Sequence, residues 1–236
     1  MAEIYLSGPE SGAALDFALA GTLSTIPIGR AKYSLILSEQ GTVIDDVVVY
    51  RLGDNEFLVV ANAGNRFPAA AAIRERAANF DCVVDDRSDD VALIAVQGPN
   101  ALAILEETAG LDSVGLAELG YYRCLPRSFA ETPVLIGRTG YTGEDGFELY
   151  IENAHAADLW KALTSAGASH ELLACGLACR DTLRLEAGMP LYGHELSLEL
   201  KPVQSGLEKV VDMSKDNFVG RDGVMAGISA GAVRLV

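Results

Sequence analysis

Apolar and polar positions repeat one pattern in the two halves of the chain. The stretch IYLSGPESGAALDFALAG (4–21) resembles IAVQGPNALAILEETAG (94–110), and each predicts a short strand, a Gly-Pro step and a helix of apolar period. Proline suits the first turn of a helix, because the N–H that it lacks would have no partner there. The pattern therefore predicts one unit that is used twice.

Each half continues with a long β-hairpin. The first, YSLILSEQGTVIDDVVVYRL (33–52), is predicted to turn near Gly41, and a further strand, EFLVVANAG, comes after it. The second, PVLIGRTGYTGEDGFELYI (133–151), is predicted to turn near Gly143. Glycine is favoured at such turns because it adopts backbone angles that other residues avoid.

Helices are predicted over 67–79 and 154–165, after the two hairpins. This order of elements indicates an α+β fold with mostly antiparallel sheets and helices on one face. Asp46 and Glu148 fall early on the outgoing strands of the two hairpins. If the halves pack around a pseudo-twofold axis, both acids would face one central cavity.

A net charge of −15 over 236 residues narrows the classes of partner. A uniformly negative protein is repelled by nucleic acid and by anionic membranes, so neither is an expected partner. The sequence contains no run of 18 apolar residues, so no membrane span is predicted. It contains no glycine-rich phosphate loop, so no nucleotide site is predicted. An anionic small molecule would need a local basic region.

Two adjacent acids interrupt the apolar strand GTVIDDVVVY. Neighbouring strand residues point to opposite faces, so one of Asp45 and Asp46 is predicted to face inward. We assign Asp46 to the inward position because three valines follow it. There its pKa would be raised and it could exchange a proton with a substrate amine. The alternative is a solvated pair beside the hairpin turn.

The stretch GYTGEDGFELY holds three more acids. Glu144 and Asp145 are expected to be solvated at the hairpin tip or to cap backbone N–H groups. Glu148 lies between two apolar strand residues, and a carboxylate there can accept two parallel N–H bonds from a ligand. The alternative is a structural partnership with Arg180. Tyr141 either stacks on a flat ring or covers the core.

Arg180 and Arg184 lie four residues apart in the predicted helix RDTLRLEAG and so share one helix face. Either an anionic ligand or an internal ion-pair network would neutralise these two positive charges. No histidine spacing predicts a metal or catalytic site, and no metal is expected. The cysteines are expected to be reduced, buried thiols: Cys82, Cys124, Cys175 and Cys179.

Both ends of the sequence suggest a piece of a longer protein. Met1 runs directly into a predicted strand, and the chain stops in the apolar run GAVRLV without a turn. An unfinished strand leaves an unpaired edge, which proteins usually avoid.

Five stretches closely resemble the T-protein (aminomethyltransferase) family of the glycine cleavage system: GTVIDDVVVYRL, VVANAGN, VQGP, RTGYTGEDGFELY and GLACRDTLRLEAGMPLYGHEL. The resemblance covers nearly the whole chain. It implies duplicated ferredoxin-like units, 1–90 and 91–200, around a folate channel. Residues 201–236 would begin a connection to a C-terminal barrel.

The activity that this resemblance implies is one-carbon transfer. The family takes an aminomethyl group from the lipoyl arm of H-protein, releases ammonia and passes the carbon to tetrahydrofolate, forming 5,10-methylenetetrahydrofolate. The implied location is the cytoplasm, or the mitochondrial matrix in a eukaryote. The alternative is another folate-binding member of the superfamily, either a demethylase or a non-catalytic folate sensor.

Particular residues match the family motifs. Asp46 matches the key aspartate near folate N10, Glu148 the glutamate that reads the pterin, and Arg180 a binding-site arginine. Cys179 stands where the family usually has alanine. Pocket-lining positions are matched by Tyr141, Asn62, Tyr33 and Tyr50.

Overall fold

Nine β-strands and six α-helices form within residues 1–229, the part of the chain that the computed structural model describes. The strands are β1 (Ala2–Ser7), β2 (Ala31–Leu37), β3 (Val43–Gly53), β4 (Glu56–Ala61), β5 (Val83–Asp86), β6 (Val91–Gln97), β7 (Cys124–Phe129), β8 (Thr132–Gly137) and β9 (Gly146–Glu152). The helices are α1 (Ser11–Ala18), α2 (Arg66–Ala77), α3 (Ala101–Glu107), α4 (Ala156–Gly167), α5 (Leu177–Glu186) and α6 (Arg221–Ser229). The strand predicted over 231–236 lies outside the described residues.

The chain divides into two compact units. The first unit joins Met1–Arg87 with the segment from Pro190 onward, and the second unit is Ser88–Met189. The predicted boundaries placed residues up to 200 in the second half. The contacts instead group the chain after Pro190 with the first unit, because Leu196 and Phe218 are buried against β2.

Each unit contains one antiparallel sheet, and the two sheets share a strand order. The order is β2-β3-β4-β1-β5 in the first unit and β7-β8-β9-β6 in the second. All of these pairings are antiparallel. Four strands of each sheet therefore correspond one to one, and the prediction of a duplicated α+β fold with antiparallel sheets is confirmed.

The correspondence between the two hairpins differs from the prediction. The strand β7 was not predicted, and β8 pairs with β7 as well as with β9. Asp46 lies on β3, whose counterpart is β8, whereas Glu148 lies on β9, whose counterpart is β4. The predicted equivalence of these two acids is therefore wrong. Their sharing of one cavity stays a prediction.

The step from strand to helix is the same in both units. Ser11 donates its backbone N–H to the oxygen of Gly8, and Ala101 donates to Gly98, each at 3.0 Å. Each of these two glycines has a positive φ, 132° and 113°, which side-chain-bearing residues adopt at a cost. The Gly-Pro step thus forms a turn just before the helix.

The predicted helices after the hairpins are present as α2 and α4, with ends within two residues of the predicted ones. The helix predicted from RDTLRLEAG is present as α5. Over residues 1–229, no helix combines the length and the apolar character that crossing a lipid bilayer requires.

Alternate residues of the first sheet form its core. Ile4, Val47 and Val59 are almost completely buried and belong to one cluster with Leu15 of α1 and Ile73 of α2. Burying a side chain of this size contributes roughly 1.5–3 kcal/mol. This packing fixes which face of β3 is turned toward the helices, and so fixes the two directions that its acids take.

Candidate functional site

Asp45 and Asp46 point to opposite faces of β3. Asp45 is completely buried, on the face of Val47 and Val49 that the helices cover. Asp46 is partly buried and takes the other face. The prediction that Asp46 alone faces inward is therefore wrong, because Asp45 is completely buried and Asp46 is partly buried. The alternative of a solvated pair is also wrong, since neither side chain is exposed.

Amide groups hold Asp45 in its buried position. Asn62 donates its backbone N–H to Asp45 Oδ2 at 3.0 Å and its side-chain Nδ2 to Asp45 Oδ1 at 2.8 Å. Asn65 Nδ2 donates to the same Oδ1 at 3.0 Å. Burial raises the pKa of Asp45, and these hydrogen bonds offset part of that rise.

Asp46 is held by a phenol and by the same asparagine. Tyr33 Oη donates to Asp46 Oδ2 at 2.9 Å, and Asn62 Nδ2 donates to Asp46 Oδ1 at 2.8 Å. Burial, and then the negative charge of Asp45, raise the pKa of Asp46 to about 6. Within residues 1–229 neither aspartate has a cationic partner. We call Tyr33, Asp45, Asp46, Asn62 and Asn65 the acid-pair site.

Two further tyrosines belong to the surroundings of the acid-pair site. Tyr50 lies four residues after Asp46 on the same strand and is completely buried. Burial raises the pKa of the Tyr192 phenol, an interaction with Asn65 lowers it in part, and the charge of Asp45 adds to the rise. Tyr192 was not predicted, because it lies far from β3 in sequence.

Glu148 occupies a partly buried position on β9 of the second unit. Thr139 Oγ1 donates to Glu148 Oε2 at 2.5 Å, and the hydroxyl of Tyr150 lies 3.4 Å from the same oxygen. The strand neighbours Phe147 and Leu149 are fully buried in the core, so Glu148 points to the opposite face. Thr139 and Tyr150 are hydroxyl partners that the sequence analysis missed.

Arg180 and Tyr141 contact each other. The guanidinium carbon of Arg180 lies 4.6 Å from the centroid of the Tyr141 ring, within the range of a cation–π interaction. Both side chains are partly exposed. We call Thr139, Tyr141, Glu148, Tyr150 and Arg180 the hairpin site.

Arg184 has a different environment from Arg180. It is almost fully buried, and its Nε and Nη2 each lie 2.8 Å from Oδ1 of Asp181. Its Nη1 donates to the backbone oxygen of Met189 at 3.1 Å. Asp181 lies three residues before Arg184 on the same face of α5. For Arg184 the ion-pair alternative is correct.

The loop before β9 is built around Gln97 of β6. Gln97 Nε2 donates to the backbone oxygens of Thr139 and Phe147 at 3.1 and 3.2 Å. A Cβ added at Gly140 or Gly146 would lie 1.9 or 2.4 Å from the Gln97 side chain. These glycines therefore make room for a glutamine that the sequence analysis did not single out.

Asp145 forms a bidentate ion pair with Arg138 within this loop. Arg138 Nε and Nη2 donate to Asp145 Oδ1 and Oδ2 at 2.8 and 2.6 Å. The hydrogen bonds from Arg138 lower the pKa of Asp145. Asp145 is therefore a structural residue and not a solvated tip residue, whereas Glu144 is exposed.

The cysteines differ from their predicted burial. Cys124 is buried and Cys82 is half-buried, but Cys175 and Cys179 are exposed, which contradicts the expectation for this pair. Over the described part of the chain, no group of three or more His, Cys, Asp or Glu side chains is placed to hold a metal ion.

Comparisons with known proteins agree with one another. The family model of the GCVT N-terminal domain matches residues 1–215. An aminomethyltransferase from Cutibacterium acnes is 54% identical over 227 residues, which cover 94% of this chain and 61% of that protein. One from Streptomyces avermitilis is 52% identical over 223 residues, covering 94% and 59%. The chain thus spans about three fifths of the length of these relatives.

A solved structure of an aminomethyltransferase gives the same result. Glycine cleavage system aminomethyltransferase T from Bartonella henselae superposes with a TM-score of 0.87 at 31% identity, covering 97% of this chain and 61% of that one. A heterotetrameric sarcosine oxidase from Corynebacterium sp. U-96 gives a TM-score of 0.53 at 21% identity, over 74% and 83%. The second likeness concerns the fold alone.

Proposed function

Because the chain belongs to the GCVT N-terminal domain family, we propose that it supplies the folate-binding part of a glycine cleavage aminomethyltransferase. The observation that carries this proposal is the acid-pair site. Asp45 and Asp46 are adjacent carboxylates held by amides and a phenol, without a cationic partner within residues 1–229. Such a site favours an amine or a carbon that becomes positively charged.

The proposed reaction moves one carbon between two nitrogen-bearing substrates. The donor is an aminomethyl group on the lipoyl sulfur of H-protein, and the acceptor is tetrahydrofolate. The carbon leaves its amine as ammonia and its sulfur as a dihydrolipoyl thiol. It then bonds to N5 and N10 of the folate, which lose one proton each, and the product is 5,10-methylenetetrahydrofolate.

Asp46 is the residue that we assign to this chemistry. With a pKa of about 6, its carboxylate is mostly ionised at pH 7.5 yet still accepts a proton readily. Its negative charge stabilises an iminium-like carbon and orients the attacking amine. Asn62 holds the carboxylate in place, and Tyr33 donates to the oxygen that Asn62 Nδ2 does not.

The hairpin site supplies groups that suit the pterin end of a folate. Glu148 presents a partly exposed carboxylate, which can accept N–H bonds from the amino edge of the ring. Arg180 and Tyr141 form a flat, cationic surface beside which an aromatic ring can stack. We therefore assign Glu148, Arg180 and Tyr141 to pterin binding, and Tyr50 to packing behind Asp46.

The activity is tested with the full-length protein, since this chain spans about three fifths of its relatives. Ammonia release is measured with aminomethylated H-protein, with and without tetrahydrofolate. We expect release that depends on both substrates. Tetrahydrofolate binding without release would favour the non-catalytic sensor, and release from a free methylated amine would favour the demethylase.

Pterin binding is tested by replacing Glu148 with Gln. The change keeps the shape of the side chain but removes one charged acceptor, so we expect tetrahydrofolate affinity to fall by about tenfold. The matched control is Glu144→Gln, at an exposed position of the loop that precedes β9. Calorimetry that gives equal affinities for both variants would return Glu148 to a structural role.

A further inference from the structure

Two thiols lie together on the surface of the second unit. Cys175 immediately precedes Gly176, the N-cap of α5, and Cys179 lies in the first turn of that helix. Both side chains are exposed, and the side chain of Cys179 interacts with the Cys175 thiol. Cys175 Sγ also lies 3.5 Å from the backbone oxygen of Leu173.

The other two cysteines are in very different environments. Cys124 is buried in β7, and burial raises the pKa of its thiol to about 12. Cys82 is half-buried, and burial together with the charges of Asp81 and Glu10 raises the pKa of its thiol. Exposure and thiolate character govern how fast a cysteine is oxidised. Cys82 and Cys124 should therefore be oxidised more slowly than Cys175 and Cys179.

We propose that Cys175 and Cys179 are an oxidation site, and that they form a reversible disulfide when the protein meets a peroxide. The two cysteines lie four residues apart across the start of α5, their side chains interact, and both are open to solvent. Cys175 belongs to the segment 172–176, which forms no helix or strand. A disulfide requires thiols that can approach without large backbone movement. The proposal does not depend on the proposed transferase chemistry, although Cys179 directly precedes Arg180.

The redox step balances with hydrogen peroxide as the oxidant. We assign the first attack to Cys179, which lies in the first turn of α5. The Cys179 sulfur takes one peroxide oxygen, forming a sulfenic acid and water. The Cys175 sulfur then displaces that oxygen as a second water, and the S–S bond forms. The two thiols lose two electrons and the peroxide gains them.

The experiment treats the purified chain with hydrogen peroxide, alkylates the remaining thiols after unfolding, and analyses the tryptic peptides. Both cysteines fall within one peptide, 162–180. We expect this peptide to lose the mass of two hydrogens and to resist alkylation until a dithiol reductant is added. The peptides that contain Cys82 and Cys124 should be alkylated throughout.

The matched control is Cys179→Ala, which removes one thiol at an exposed position. In this variant we expect no internal disulfide, and the remaining Cys175 should be oxidised at least about tenfold more slowly, because its partner is gone. Cys175→Ser should likewise form no internal disulfide. Retention of four alkylatable thiols in the treated parent chain, or a bridge only between two chains, would overturn the proposal.

Discussion

Asp46 in the first unit and Asp145 in the second have opposite electrostatic environments. Asp46 accepts hydrogen bonds from a tyrosine and an asparagine, beside the negative Asp45, and its pKa rises to about 6. Asp145 accepts a bidentate fork from Arg138, and its pKa falls. At Asp46, neutral donors do not offset burial and the charge of Asp45, whereas at the partly exposed Asp145 a guanidinium outweighs a much smaller degree of burial.

This difference separates a chemical role from a structural one. A carboxylate with a raised pKa can accept and return a proton near neutral pH, whereas one paired to arginine stays ionised and fixes the shape of its loop. The motif GEDGFE is acidic like IDD, yet its aspartate, Asp145, pairs with Arg138 and fixes the shape of the loop. The following predictions test whether this separation is correct.

The largest expected effect is the loss of transfer in Asp46→Asn of the full-length protein. Removing the charge and the proton acceptor should lower kcat by roughly 10²–10⁴-fold, while tetrahydrofolate affinity stays within about twofold. The matched control is Asp145→Asn, the same chemical change at the structural aspartate, which should alter kcat only a few-fold. Equal losses in ammonia release for the two variants would contradict the comparison.

The next effect concerns the stability that Asp45 gives the first unit. Asp45→Leu removes the acceptor of three hydrogen bonds from Asn62 and Asn65 in a buried place. Leaving these donors without a partner should cost about 2–4 kcal/mol. Urea denaturation measures the free energy of unfolding. A loss below about 1 kcal/mol would mean that water replaces the carboxylate at little cost.

A smaller effect is expected for the arginine fork. Arg138→Met removes the donors to Asp145 and the 2.7 Å bond from Nη1 to the Leu119 oxygen. The loss should be about 1–2 kcal/mol, because Asp145 is 38% exposed and water partly replaces the fork. Arg127→Met, at a half-buried arginine with backbone acceptors and a longer, 4.0 Å ion pair to Asp112, is the control for the loss of an arginine side chain.

The smallest effect is a shift of the pH profile. If transfer requires ionised Asp46, activity should rise with pH through a midpoint of about 6. The charge of Asp45 disfavours that ionisation, so Asp45→Asn should lower the pKa of Asp46 and move the midpoint to lower pH. We expect a shift of less than about one pH unit, because burial is the larger cause. A midpoint that moves upward would contradict this assignment.

Local pattern was sufficient for most elements of the fold. The strand–turn–helix units, the hairpin at Gly41 and the helices α2 and α4 follow from periodicity and turn residues, which act over a few positions. The strand β7 could not be found in this way. It is an edge strand of the second sheet and contains Pro126 and Arg127, which interrupt the apolar alternation.

The candidate site was predicted less completely, because its partners come from distant parts of the chain. The alternation rule correctly placed Asp45 and Asp46 on opposite faces. It could not decide which face is buried, since the donors that make burial of Asp45 possible follow β4. The pairing of Arg184 with Asp181 lay within three residues and was available from helix geometry.

The seating of Gln97 between Gly140 and Gly146 also limits how this protein can be engineered. The motifs VQGP and GYTGEDG are far apart in sequence, yet one fills the space that the other leaves. A chimera that exchanges only one of them with a distant homologue would inherit either an empty slot or a steric collision. The two segments have to be transplanted as a matched set.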